Sequence, residues 1–558
     1  MTTGPAADPI PRPSLRLTAG MALAGLALVA AGRATPAESD PGAAIRPEAI
    51  RAHMRFLSDG ALEGRASDGR GYAIAASYVA AQMEALGLEP AGGPGSFLQK
   101  VPMRKAILDE AATALVLVRD GKEEPLALPD DFFAAPDRQH LKADVEAPVV
   151  FVGFGITAPE LGHDDYRGVD ARGKIVATVW GGPKRFEATE RAHFSNNTVK
   201  QENAAAHGAV GYLAIMTPDD LERYRWEWLL PQSRAGSMAW LDERGIPNDT
   251  FPGIRAVARL NGKGAARLLR GAPKSPEEIY AAARDGVPPV FDLPVKARLR
   301  VAARHTGFES SNVLGLLRGS DPRLKDEQVV LSAHLDHLGL CPPVEGDEVC
   351  HGAYDNASGV ATLLEIARAF TAMRPAPRRS ILFAIVTGEE KGLLGSDYLA
   401  RHPAVPGTVV ANVNMDGAVG ILYPPADIVA LGIEHSTLKR PVQDAARLLG
   451  YTLSPDPMPE ESIFVRSDQY SFVRQGVPSV FIVDGGKSTN PGVDGLKLIR
   501  TWLTTLYHTP ADNMSQPFDF TSAAKGARLN FLVTRNVAQA EARPAWNEGD
   551  FFGGKFGR

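Results

Sequence analysis

Over the second half of the chain, short uninterrupted apolar runs alternate with longer stretches of helical periodicity. Val329-Val330-Leu331, Ile381–Val386, Val409–Val413 and Ser479–Val483 are three to six residues long and are followed by polar residues. Such runs read as strands buried on both faces of a sheet. Between them, Ser358–Met373 places Val360, Leu363, Leu364, Ala367 and Phe370 on one helical face, with Ser358 as the expected N-cap. Leu393–Arg401, Leu438–Leu449 and Thr521–Ala540 are further predicted helices. This alternation predicts an α/β fold, a three-layer αβα arrangement around a mostly parallel sheet.

The first half has a different texture. Pro47–Leu57 and Gly69–Gly87 are predicted helices, separated by a polar turn at Leu62-Glu63-Gly64-Arg65. From about Ala112 the pattern becomes that of strands, at 114–118, 149–155 and 173–179. A helix at Val199–His207, stopped by Gly208, feeds a strand at 210–215. Met238–Ala258 and the segment through Ala303 complete a mixed β/α unit. Within His140–Pro288 no metal-ligating residues cluster, so this part reads as a separate domain without chemistry of its own. The end of the chain, 546–558, is rich in Gly and Phe and is expected to be a flexible tail.

Composition narrows the classes. The chain has 558 residues, 44% of them hydrophobic, and a net charge of -5. That suits two or three globular domains. No Lys/Arg run suggests nucleic acid or an anionic membrane as a partner. Arg12 and Arg16 precede a short apolar stretch, 17–31, and then small residues. That pattern predicts a signal peptide over 1–37, with a retained, uncleaved anchor as the alternative; it implies an exported protein, periplasmic or secreted, with no membrane association after cleavage. The only cysteines, Cys341 and Cys350, share one loop. In an exported chain a disulfide is the natural reading, with thiolate metal binding the alternative.

Candidate chemistry collects at the ends of the predicted strands. His334 and Asp336 follow one strand, Glu389 and Glu390 a second, and Asp416 a third; Asp355 and His508 lie in loops. Imidazoles with several carboxylates form a mixed N/O set suited to zinc and related divalent ions. A bridging carboxylate allows two ions to share a site. Asp336, two residues from His334, is expected to accept its second ring proton. One of the adjacent acids Glu389 and Glu390 is free to carry protons. Tyr507 is a candidate donor to a tetrahedral oxyanion.

The motifs AHLDHLG, GAYDNASGVATLLEIA, TGEEKGLLGSDYL, NVNMDG and YHTPADN resemble those of the co-catalytic di-zinc aminopeptidases. That family also includes larger exopeptidases built like glutamate carboxypeptidase II. The likeness spans most of Ser311–Ala540, and 140–288 resembles the protease-associated domain inserted in some members. It implies an N-terminal peptidase part at 38–139, the inserted domain at 140–288 and the zinc peptidase domain at 289–545.

By position, the likeness implies two Zn2+ ions. His334 and Asp416 would bind one, Glu390 and His508 the other, and Asp355 both. Glu389 would be the general acid/base, Asp336 the partner of His334 and Tyr507 the oxyanion donor. Gln469 stands where the family often has a His after Ser467-Asp468, which weakens any role for that segment. Tyr354 stands where many members have an Asp. His337 and His351 flank the site, with surface or packing roles expected. The implied function is an exported zinc-dependent aminopeptidase acting on peptides with a free N-terminus, Glu389 activating the attacking water. The alternatives are a carboxypeptidase or dipeptidase on the same metals, a glutaminyl cyclase, and a receptor-like binding protein. Oligomeric state is not legible.

Overall fold

The structure, a computed structural model, describes Met1 and residues 41–557. Apart from Met1, the predicted signal peptide lies outside the described residues. No helix among the described residues is long and apolar enough to cross a membrane.

The fold is α/β, with two sheets that share the 28-residue strand Val290–Leu317. Residues 303–313 of that strand pair with Leu98–Leu108, and residues 313–317 with Ser380–Val386. The first sheet continues through Glu327–His334, Thr408–Asn414 and Ser479–Asp484, each parallel to its neighbour, and then antiparallel Asp427–Leu431. Side chains alternate across a strand. Ile381, Phe383 and Ile385 therefore enter a core roofed by the helices Pro47–Leu57, Arg70–Ala85, Gly359–Ala372 and Phe520–Gln539. Leu382, Ala384 and Val386 enter a smaller core with Leu399 and Phe472 on the opposite face. Burial on both faces explains the unbroken apolar run, and each fully buried large side chain contributes ~1.5–3 kcal/mol.

The second sheet runs through Lys122–Leu126, Ala114–Arg119, the first half of the long strand, Lys142–Val152, Ile175–Val179, Gly211–Ile215, Val257–Leu260 and Phe132–Ala134. It has its own core, which includes Leu115, Leu117, Phe151, Leu213 and Leu299. Two expected boundaries shift. The strands over 114–134 belong to this sheet and not to the N-terminal part of the first, because Leu115 and Leu117 bury into its core. Conversely Ser237–Trp240, inside the expected 140–288 unit, pairs with 103–106 of the first sheet. There the Trp240 indole N–H donates to Asp397 Oδ2 at 2.9 Å.

Two local expectations also change. Residues 551–556 form a helix rather than a loose tail. Asp550 caps it through Gly553 N–H and faces His435 Nδ1 at 2.6 Å, while Phe552 is buried against Phe464 and His435. Ser358 is already helical and does not cap Gly359–Ala372. Its hydroxyl donates to Tyr354 O and accepts from Ala418 N–H, tying two loops together.

Candidate metal centre

Three parallel neighbours of the first sheet deliver their carboxyl ends to one place, where open α/β sheets gather chemistry. His334 is the last residue of Glu327–His334. Glu389 and Glu390 form the turn after Ser380–Val386, entered through Gly388 at φ +68°. Asp416 follows Thr408–Asn414 by two residues. Asp355 comes from the turn before Gly359–Ala372, and its peptide bond to Asn356 is cis. His508 comes from the loop after Gly495–Thr505, at φ +60°.

Asp355 divides its two oxygens between two imidazoles. Oδ1 lies 3.2 Å from His334 Nε2, and Oδ2 lies 3.4 Å from His508 Nε2. His334 Nε2 is also 3.2 Å from Asp416 Oδ1, and His508 Nε2 is 3.1 Å from Glu390 Oε2. All five expected ligand residues thus converge as two half-sites sharing one carboxylate. Donors about 2 Å from a common tetrahedral ion sit ~3.3 Å apart, so the spacing fits. The orphaned atom fits too: His508 Nε2 is buried between two carboxylate oxygens yet makes no hydrogen bond to either. His334, Asp355 and Asp416 are grouped closely enough to hold one ion, and His337, Asp355 and Glu390 closely enough to hold another.

The adjacent glutamates are driven apart. Burial, with Asp416 and Glu390 nearby, raises the Glu389 carboxyl well above the usual range despite His334. Glu390 is buried as well, but His508 and His337 hold it well below that range. Burial and Glu390 push Asp355 up, while His334 and His508 more than offset them and hold it low. Environments that separate two neighbouring acids in this way suit one to holding a proton and leave the other ionised. The Tyr507 ring stacks on His508 at 3.6 Å, and burial raises its phenol well above the ordinary value, so it keeps its proton.

Asp336 is arranged differently from expectation. Its backbone O lies 3.1 Å from His334 Nδ1, whereas its carboxylate is 4.0 Å from that atom. The carboxylate accepts instead from the N–H groups of Glu389 and Glu390, at 3.1 and 3.4 Å, and from Ser67 Oγ at 3.1 Å. It therefore positions the glutamate turn, and the chain's turn after the strand gives the imidazole a carbonyl.

Several supporting residues carried no spacing signal. Arg65, in the polar turn, is buried; its guanidinium donates to Leu335 O, His351 O and Gly352 O at 2.9, 2.7 and 3.0 Å, and to Leu57 O. Burial pulls it down to about 10, opposed by Asp355, Asp512, Asp336 and Glu390. Asp512 accepts from Tyr354 N–H and Asp355 N–H, fixing the shared carboxylate's backbone. Asn356 Oδ1 accepts from Gly417 N–H, while its amide donates to Met415 O. Cys341 and Cys350 are joined as a disulfide with Cα atoms 5.7 Å apart, closing the loop between His334 and Asp355. His351 packs through Ser58 O and Asp347. Tyr354 lies edge-on to Trp502 at 4.5 Å and against Gly417, where a Cβ would come within 2.8 Å of its ring. Gln469 joins Asn414, which also binds Ser467 and Ser332. Beside it Asp468 is fully buried, and burial raises its carboxyl to about 7.

Residues 312–533 match the family model described as Peptidase family M28. "Aminopeptidase NAALADL1" of Mus musculus is 27% identical over 319 residues, covering 48% of this chain and 39% of that protein. A "Probable zinc metalloprotease" of Pyricularia oryzae is 41% identical over 110 residues, 20% of each chain. The chain spans less than half the length of these curated relatives. Among solved structures, the "Aminopeptidase from Aneurinibacillus sp. strain AM-1" has a TM-score of 0.51 at 19% identity, covering 91% of this chain and 97% of that one. That likeness shows the fold.

Proposed function

From the match of residues 312–533 to the model of Peptidase family M28, we propose that the chain is an exported zinc-dependent aminopeptidase that releases the N-terminal residue of peptides. The observation that carries this reading is the division of Asp355 between His334 and His508, at 3.2 and 3.4 Å. It makes the donor set one for two cations. His334, Asp416 and Asp355 would hold one ion, and His508, Glu390 and Asp355 the other. Bound there, zinc supplies Lewis-acid activation of the scissile carbonyl and of the attacking water.

The chain's own residues supply the rest. Glu389 takes a proton from the attacking water and returns it to the leaving amine nitrogen. Tyr507, held neutral, donates to the oxyanion of the tetrahedral intermediate. Asp336 and Arg65 hold the turns that carry Glu389, Glu390 and Asp355. The names of the mouse and Aneurinibacillus relatives favour action at the amino end. The signal-like 1–37 and the disulfide favour export. The second sheet is proposed as a protease-associated insertion, with bounds near 114–301.

A panel of aminoacyl chromogenic substrates, with N-blocked peptides as controls, tests the reading. Cleavage should need a free amine, vanish with a strong chelator and return with zinc. Cleavage of N-blocked peptides from a free carboxyl end would favour the carboxypeptidase alternative and overturn the aminopeptidase assignment.

A further inference from the structure

His337 was expected only to flank the site, yet it is fully buried within it. Its Nδ1 is 2.7 Å from Glu390 Oε1, in hydrogen-bonding geometry. The other oxygen of Glu390, Oε2, faces His508 Nε2 at 3.1 Å without a hydrogen bond. The two oxygens of Glu390 are therefore used differently. One meets an imidazole as a hydrogen-bond acceptor. The other meets an imidazole across a gap of ligand spacing.

The His337 ring has little freedom. It lies against Gly352, where a Cβ would come within 2.7 Å of two ring carbons. Its backbone N–H donates to Arg65 O at 3.1 Å. The His508 ring stands edge-on to it, with centroids 5.7 Å apart. Asp355 Oδ2 is 3.9 Å from Nδ1, beyond hydrogen-bond reach. His337 Nε2 is buried with no hydrogen-bond partner among the described residues. A buried bare lone pair costs less than a buried unpaired N–H. The proton of a neutral His337 therefore belongs on Nδ1, where Glu390 accepts it.

We propose that His337 is a positioning residue for the second half-site: its Nδ1–H occupies Glu390 Oε1, so that Oε2 alone is presented beside Asp355 and His508. The inference rests on the two-cation reading of the site. Its consequence is selective. Partners that orient a ligand typically contribute 10–100-fold to metal affinity. The loss should fall on the second cation and spare the first, which His337 does not touch.

The test is a cobalt titration of the metal-free full chain, followed by visible absorption. Wild type should bind two ions. His337→Ala should bind the second about 10–100-fold more weakly, with the first unchanged. His337→Asn places an amide N–H close to where Nδ1 stood and should restore affinity to within a few-fold. His337→Gln, whose amide extends toward the Nε2 position, should remain weak, and it replaces the alanine variant if that does not fold. At saturating cobalt all folded variants should share the wild-type bands, since no ligand has changed. Wild-type affinity in both His337→Ala and His337→Gln would overturn the proposal. So would altered bands in His337→Asn at saturation, which would make the imidazole itself a ligand. A wild-type chain that takes up no cobalt would instead sink the underlying two-cation reading.

Discussion

The two sheets share one strand, and both bury ionisable groups, but among the described residues only the first gathers several ligating side chains at one place. In the second sheet Lys200 is fully buried, and its ammonium donates to Val179 O and Gly181 O at 2.9 and 2.7 Å, with the Phe154 ring 5.6 Å away. Asp165 accepts from Ile156 N–H at 3.0 Å and faces His163 at 2.9 Å. The Lys200 charge ends on backbone carbonyls, and His163 Nε2, though buried without a hydrogen bond, faces a single carboxylate. In the first sheet His334, Asp355, Glu390, Asp416 and His508 face one another, and His508 Nε2 has oxygens in reach but no hydrogen bond. Buried charge that terminates on backbone carbonyls builds structure. Buried donors that converge on a common point, with a hydrogen bond missing, build a site for something else. The convergence of several donors separates the two regions better than burial or a single missing hydrogen bond does.

That contrast can be broken from either side. The largest expected effect comes from Glu389→Gln, which keeps size and polarity but cannot carry the proton. Its kcat should fall about 10²–10⁴-fold, while the cation content measured by elemental analysis stays at the wild-type level. Unchanged turnover would remove Glu389 from the mechanism. A smaller effect, confined to stability, is expected of Lys200→Met in the second sheet. Burial pulls the Lys200 ammonium down to about 7 in the fold, against ~10.4 in an unfolded chain. Between those values the unfolded chain binds more protons, so this group makes stability rise with pH, by at most about 1.4 kcal/mol per pH unit. Urea unfolding from pH 7 to 10 should show that rise in wild type and a flatter course in Lys200→Met, with kcat/KM unaltered. A loss of activity in that variant would blur the distinction between the sheets.

The parts of the molecule legible in the sequence are those in which one local pattern suffices. Ile381–Val386 announces a two-sided strand because both of its faces meet apolar helices. The five expected ligand residues stand out through their motifs, and their side chains meet. What escaped acts over long separations through backbone atoms. Arg65 reaches Leu335 and His351, 270 and 286 positions away, and no periodicity records a side chain bonded to distant carbonyls. Asp336 was placed on His334 by proximity in sequence, but the turn after the strand put its carbonyl there and freed its carboxylate for the Glu389 turn. The strand at Ala114–Arg119 is recognisable from its apolar run and the Asp120-Gly121 turn after it, neither of which says which of two sheets receives Leu115 and Leu117. The C-terminal helix was hidden because Gly553 and Gly554 resemble a loose tail, whereas burial of Phe552 and the Asp550 cap order it.

The most direct test of the account counts cations. Elemental analysis of the purified full chain, reconstituted with zinc and dialysed, should give two ions per chain, falling to one in His508→Ala while the thermal transition shows that variant still folded. A wild-type chain that retains none, or a His508→Ala chain that retains the full wild-type number, would contradict the convergence of these residues on a pair of cations.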